Sequence, residues 1–205
     1  MKNKIYPDVR LNIVMIHGVW SNAREFYEMA RKFNERDDLF SIDARFSVLS
    51  YGKLLLFLGR FPFVRTLVSK YVAARLAANT YKYPNAKTLI IAHSFGTWAI
   101  AEAIKTLFNE FRIDYLILLG SVIKRGFRWD KYPIKVFNFI GKKDTVVLYS
   151  VLWGTGWSGR YGFKKDIVLA ANSNVQEYIK DWGHSDYPKA FEEFVRIIKA
   201  IPLDK

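Results

Sequence analysis

Three residues of this chain have side chains that together can perform covalent catalysis: Ser94, Asp144 and His184. A serine hydroxyl becomes a strong nucleophile when a histidine takes its proton, and a carboxylate holds that histidine in the required tautomer. Along the chain the order is serine, aspartate, histidine. These types predict Ser94 as nucleophile, Asp144 as orienting acid and His184 as general base, and each assignment depends on the elements around it.

The segment around Ser94 has the pattern of a sharp turn between a strand and a helix. Residues 87–92 form an apolar run of strand length, and a helical period follows at once over 95–111. The sequence between them, Ala92-His93-Ser94-Phe95-Gly96, is small-x-Ser-x-Gly, which is typical of a nucleophile elbow. Ala92 stands where glycine is commoner. The alternative is an ordinary helix start with Ser94 as its N-cap.

The base is sought among only three histidines, His17, His93 and His184. His93 lies in the pentapeptide, and His17 follows the first predicted strand, where we interpret it as fixing its loop. His184 follows the last apolar run and precedes the closing helix. Its loop can therefore reach over the sheet edge toward Ser94, although an exposed loop histidine is the alternative.

The acid is predicted at Asp144, because this residue follows the strongly apolar run 134–140. There it would accept the Nδ1–H of His184. Three rivals are Asp130, Asp166 and Asp181. The first lies in a charged loop, the second follows two lysines, and the third is very near the histidine in sequence. The backbone amides of Val19 and Phe95 are the predicted oxyanion donors, one after the first strand and one after the nucleophile.

Apolar runs of strand length alternate with helical segments, which indicates a mostly parallel sheet of about six strands with helices on both faces. The predicted strands cover residues 11–16, 45–50, 87–92, 115–119, 134–140 and 175–179. Predicted helices follow a capping box at Asn22 and Glu25, cover 64–81 and 95–111, and close the chain after Pro188. This is a three-layer α/β fold in one domain, 1–205.

With these motifs the sequence resembles the α/β-hydrolase superfamily over nearly the whole chain. The resemblance rests on His17-Gly18, the pentapeptide 92–96, Gly141-x-x-Asp144 and Gly183-His184. More narrowly, the chain is similar to small serine esterase or lipase-like members that have no large cap domain. The resemblance implies an eight-stranded parent sheet, here trimmed of its first two strands, and a chain order of serine, acid and histidine that matches this sequence.

Composition narrows the classes of function. The absence of cysteine excludes disulfides, thiolate metal sites and a cysteine nucleophile. The net charge of +13 favours anionic partners through long-range attraction, or reflects a solvated basic surface. We find neither a secretory signal nor an apolar run of membrane-spanning length, so we expect a cytoplasmic protein.

Two further segments of the sequence allow more than one interpretation. Residues 51–65 mix apolar and basic side chains and fit a small lid, an interfacial segment on an anionic membrane, or plain core. Residues 154–159 match Gly-x-Gly-x-x-Gly, but no convincing helix follows them. We therefore interpret this segment as a loop, with Trp153 and Trp157, at the rim of the site rather than as a dinucleotide site.

We expect hydrolysis of a carboxylic ester, or of a thioester or amide, through an acyl-enzyme on Ser94. No cofactor, metal or nucleic acid is expected. The expected partner is a small-molecule ester substrate, and lipid-like esters are among the candidates. Two alternatives stay open. One is an acyltransferase, in which an alcohol replaces water on the same triad, and the other is a catalytically inactive basic binding module on the same scaffold.

Overall fold

The computed structural model describes residues 5–18, 23–36, 44–49, 61–171 and 174–203. Its strands form one parallel sheet in the order β2-β1-β3-β4-β5-β6. Their bounds are β1 Leu11–Ile16, β2 Ala44–Leu49, β3 Lys87–His93, β4 Tyr115–Leu119, β5 Lys135–Gly141 and β6 Val175–Lys180. The predicted sheet is therefore confirmed, and each predicted strand agrees with the observed one to within a residue at either end.

Helices connect the strands. They are α1 Ala23–Asn34, α2 Pro62–Lys82, α3 Phe95–Leu107, α4 Val146–Tyr149, α5 Ser158–Tyr161, α6 Lys165–Ala170 and α7 Phe191–Lys199. The helix predicted over 95–111 ends earlier, because its last turn tightens into a 3-10 helix at Phe108–Glu110. The closing helix also begins later than predicted, since Pro188 lies in a preceding 3-10 turn, Tyr187–Ala190.

The sheet separates two apolar layers, as expected for a three-layer fold. Alternate side chains of the central strands point to opposite faces, so the strands read as nearly continuous apolar runs. On one face Ile16, Ile90 and Leu118 pack with α2 and α3. On the other face Met15, Ile91 and Leu119 pack with α1 and α7. The strongly amphipathic sequences of α1 and α7 thus bury one stripe each.

The parallel arrangement brings the carboxyl ends of all six strands to one edge of the sheet. Chain leaving β3 begins at Ser94, chain leaving β5 reaches Asp144, and chain leaving β6 reaches His184. Binding sites of open α/β sheets form at this edge. Among the helices of the described residues, none has the length and apolar character to cross a membrane.

Candidate active site

Ser94 has the strained backbone that the elbow pattern predicts. Its φ and ψ are 52° and −125°, and it is the one non-glycine residue with positive φ among the described residues. This region costs energy for a residue with a Cβ atom, and such strain concentrates at functional sites. The turn lies directly between β3 and α3, so the serine stands above the sheet edge at the start of a helix.

Two glycines allow the elbow to approach the end of β1. A Cβ atom on Gly96 would lie 2.5 Å from the carbonyl oxygen of Ile16 and 2.8 Å from that of His17. A Cβ atom on Gly18 would lie 2.7 Å from the Cβ of Ser94. Neither position has room for a side chain, which explains why the second residue after β1 and the second residue after Ser94 are glycines.

A continuous hydrogen-bonded chain joins Ser94, His184 and Asp144. The distance from Ser94 Oγ to His184 Nε2 is 3.0 Å, and from His184 Nδ1 to Asp144 Oδ2 it is 2.8 Å. An ionised carboxylate only accepts hydrogen bonds, so Nδ1 carries the proton and Nε2 is free to accept the serine proton. The structure thus brings together the three side chains that the sequence analysis singled out.

Asp144 is fully buried, and protein groups satisfy both of its oxygens. Oδ1 accepts the backbone N–H of Val147 at 3.1 Å. Oδ2 accepts the Tyr187 hydroxyl at 3.0 Å in addition to the His184 ring. A buried carboxylate needs such partners, since leaving one unsatisfied costs several kcal/mol.

The rival aspartates lie outside this hydrogen-bonded chain. Asp130 pairs with Arg128 at 2.6 Å, and Asp181 pairs with Lys143 at 2.5 Å. Asp166 is exposed in the first turn of α6. Two of the three rivals are therefore paired with a nearby basic side chain, whereas Asp144 contacts the histidine.

Sequence reasoning missed two residues that support this pair. Tyr187 is buried, and burial together with the nearby Asp144 charge raises the pKa of its hydroxyl, which stays a neutral donor. Gly120, at φ +53°, lies under the pair: a Cβ there would be 3.1 Å from Asp144 Oδ2 and 3.2 Å from His184 Cε1. The only sequence signals were a tyrosine three residues after His184 and a glycine directly after β4.

The other two histidines have structural surroundings. His17 is buried, and its Nδ1 lies 2.6 Å from the carbonyl oxygen of Gly18, which fits a loop-fixing role. The ring of His93 lies 4.8 Å from that of His184 and 5.7 Å from that of Tyr187. Burial is the main cause that lowers the pKa of His93, to about 3, and the His184 charge adds to it. His93 is therefore a neutral ring beside His184 at pH 7.

The structure describes one of the two predicted oxyanion donors, Phe95, but not the other, Val19. Phe95 is buried as the first residue of α3, where backbone amides have no partner within the helix. Val19 lies outside the described residues, as does Asn22 of the predicted capping box. Residues 51–60, part of the segment interpreted as a lid, an interfacial segment or core, also lie outside them. The amide of Phe95 thus lies at a helix start, where the helix dipole favours negative charge.

The Gly-x-Gly-x-x-Gly segment packs against the chain that leaves β4. The amides of Gly156 and Gly159 donate to the carbonyls of Val122 and Ser121, each at 2.7 Å. A Cβ on Gly159 would lie 2.1 Å from the nitrogen of Ser121. Backbone packing therefore explains these glycines without a dinucleotide.

Comparisons with known proteins extend the description of the fold. No family model matches the sequence, and no curated protein matches it either. Among solved structures, a predicted CIB-like hydrolase from Thermoplasma acidophilum is similar, with a TM-score of 0.60 and 18% identity over 95% of this chain and 86% of that chain. The NocB thioesterase domain from the nocardicin cluster has a TM-score of 0.58 and 12% identity over 93% and 94%.

A deformylase from Pseudomonas putida S16 is also similar, with a TM-score of 0.51 and 10% identity over 95% of this chain and 93% of that chain. Identities this low establish shared architecture rather than shared chemistry. The chain therefore has the α/β-hydrolase fold, and its activity has to be argued from the residues at the sheet edge.

Proposed function

We propose that this protein is a serine hydrolase that cleaves a carboxylic ester through an acyl-enzyme on Ser94. One observation carries the proposal: the hydrogen bonds from Ser94 to His184 and from His184 to Asp144, 3.0 Å and 2.8 Å long, at a serine with strained backbone. Helix starts with an N-cap serine are common, but they need neither this backbone nor a histidine paired with a buried aspartate.

In the proposed reaction His184 Nε2 takes the Ser94 proton as Oγ attacks the ester carbonyl. The amides of Phe95 and Val19 hold the resulting oxyanion, and His184 returns the proton to the leaving alcohol. Water then attacks the acyl-enzyme by the same steps in reverse, which releases the acid and restores Ser94. Asp144 stays ionised throughout and stabilises the imidazolium that forms in each half-reaction.

The proposal also specifies the class of leaving group, which distinguishes an ester from a thioester or an amide substrate. The similar structures include a thioesterase domain and a deformylase, which act on thioester and formyl groups by their names. The same triad chemistry can cleave esters, thioesters and amides, since each forms a tetrahedral oxyanion. We propose the ester first, because an alcohol protonated by His184 leaves more readily than an amine and requires no further group in the site, and we rank the thioester by experiment.

Turnover of p-nitrophenyl acetate, butyrate and octanoate by the wild type and by Ser94→Ala tests the proposal. The matched control is Ser185→Ala, which removes an exposed serine hydroxyl beside the base. We expect activity in the wild type and the control and a loss of at least about 1,000-fold in Ser94→Ala. Thioester analogues of the same acyl groups, with free thiol as readout, then rank the leaving groups.

A fluorophosphonate label separates the proposal from its alternatives. Labelling of Ser94, mapped by mass spectrometry, is expected in the wild type and absent in the alanine variant. Without labelling or turnover, the hydrolase proposal is wrong and an inactive binding module is left. Ester products formed preferentially from an added alcohol instead of water would identify an acyltransferase.

A further inference from the structure

A second concave surface lies beside α3 and has no role in the proposed reaction. It is a cavity of about 480 Å³, within the range of small-molecule sites. Neither Ser94, His184 nor Asp144 lines it. One wall is the face of α3 that carries Trp98, Glu102 and Lys105, and the opposite wall is the chain between β4 and β5.

The lining of this cavity is strongly basic. It contains Lys105, Lys124, Arg128, Lys131 and Lys164, and its one carboxylate is Glu102. Arg128 is paired with Asp130, which lies outside the lining. Within the described parts of the chain, Lys105, Lys124 and Lys164 form no ion pair. Lysines gathered in a concavity without matching carboxylates attract a ligand that has more than one negative charge.

Aromatic rings line the same cavity. Phe127 and Tyr132 are half-buried, with ring centroids 5.9 Å apart and an angle of 27° between their planes. Trp98 contributes to the wall formed by α3. An inorganic anion would contact only the lysines, whereas flat apolar surfaces beside cations match a ligand that joins a planar ring to phosphates.

We propose that this cavity binds a nucleoside phosphate, with the base against Phe127 and Tyr132 and the phosphates on the lysines. The site is separate from the triad but shares α3 with it. Trp98 follows Ser94 by about one helical turn, and its ring lies 4.6 Å from that of Phe95, whose amide is a proposed oxyanion donor. The proposed ligand therefore lies along the helix that begins at the nucleophile. The binding site does not depend on the hydrolase activity.

Calorimetric titration of the wild type with ADP, adenosine and pyrophosphate tests the proposal directly. We expect ADP to bind at least about tenfold more tightly than adenosine or pyrophosphate, since only ADP contacts both the aromatic rings and the lysines. Lys124→Glu should weaken ADP binding by about tenfold or more. The matched control, Arg196→Glu, makes the same charge change at an exposed residue of α7 on the other face of the sheet.

Several results would overturn the proposal: no ADP binding, ADP binding no tighter than pyrophosphate, or equal weakening by Arg196→Glu, which would reflect net charge alone. Lys124-dependent binding to phosphatidylglycerol vesicles without ADP binding would assign the surface to a lipid instead. Thermal melting checks that Lys124→Glu folds. Lys164→Gln, a smaller change on the same lining, provides a second variant that must also weaken ADP.

Discussion

The hydroxyl of Tyr187 donates a hydrogen bond to Oδ2 of Asp144, the same oxygen that accepts Nδ1–H of His184. The tyrosine is buried and lies just after the histidine loop, so its hydrogen bond holds a carboxylate that solvent does not reach. It touches neither the serine nor any reacting atom in the proposed mechanism. Tyr187 is therefore a positioning residue that acts through Asp144.

Tyr187→Phe removes this donor and keeps the ring. We expect a loss of about 1.5–3 kcal/mol in the free energy of unfolding, because a buried carboxylate loses a hydrogen bond. We also expect kcat to fall by about tenfold with little change in KM. Denaturant unfolding and steady-state kinetics measure both. Tyr81→Phe, at an exposed tyrosine of α2, should change neither, and an unaltered kcat in Tyr187→Phe would remove its positioning role.

Asp144→Asn tests the assignment of the acid. The amide can no longer hold Nδ1–H against Oδ2 as a carboxylate does, so the histidine loses its tautomer and kcat should fall by about four orders of magnitude. Asp181→Asn is the matched control, since its exposed pair with Lys143 lies on the surface. Its kcat should stay within about twofold of the wild type. A larger loss in Asp181→Asn than in Asp144→Asn would reverse the assignment.

Gly96→Ala tests the close approach of the elbow to β1. The new Cβ would meet the carbonyl oxygens of Ile16 and His17, which are backbone atoms that cannot rotate away. We expect a loss of about 1–3 kcal/mol in stability and lower activity, since Ser94 must shift. Gly126→Ala is the control, because a Cβ there meets nothing within 4 Å. Equal stability of the two variants would contradict this account of the elbow.

The low pKa of His93 predicts a dependence of stability on pH. The folded protein keeps this ring neutral down to about pH 3, whereas the unfolded chain binds a proton below about pH 6.5. The stability from neutral His93 is thus complete above pH 6.5 and falls as the pH drops toward 3, by up to about 1.4 kcal/mol per pH unit.

His93→Gln provides the comparison, because its side chain does not titrate. The free energy of unfolding of the wild type minus that of the variant, measured by urea unfolding at several pH values, should decrease as the pH falls below 6.5, because only the wild type loses stability through His93. Carboxylates titrate in both proteins and cancel in this difference. A difference that stays constant from pH 7 to pH 4 would show that His93 keeps an ordinary pKa.

Contact with an anionic membrane stays a prediction, and α2 offers a way to test it. Phe61 and Phe63 lie within the apolar and basic segment 51–65, at the start of α2, and are 49% and 63% exposed. Their rings lie 5.9 Å apart. We expect Phe61→Ser/Phe63→Ser to reduce co-sedimentation with phosphatidylglycerol vesicles severalfold at low salt. Tyr81→Ser, also exposed on α2, is the control, and undiminished binding by the double variant would rule out these rings as the contact.

Local patterns of apolar residues in the sequence predicted much of the fold. The strands β1 and β4 are apolar apart from Asn12 in β1, and their bounds were predicted without error. Helix ends were less accurate, because the 3-10 turn after α3 and the one before α7 depend on packing rather than on periodicity. Likewise the glycines of 154–159 match a dinucleotide-binding motif, but Gly156 and Gly159 are required by close contact with the chain after β4. The residues they contact are more than thirty positions away in sequence.

The sequence by itself determined the residue types at the site and their order, because each lies where a strand ends and the strands are readable as apolar runs. Only the tertiary structure decided which groups meet. Asp144 was separated from its rivals by burial and by the His184 contact, and for Tyr187 and Gly120 no motif in the sequence indicated their role. Their roles come from atoms that are distant along the chain and close in space, and no periodicity records such distances.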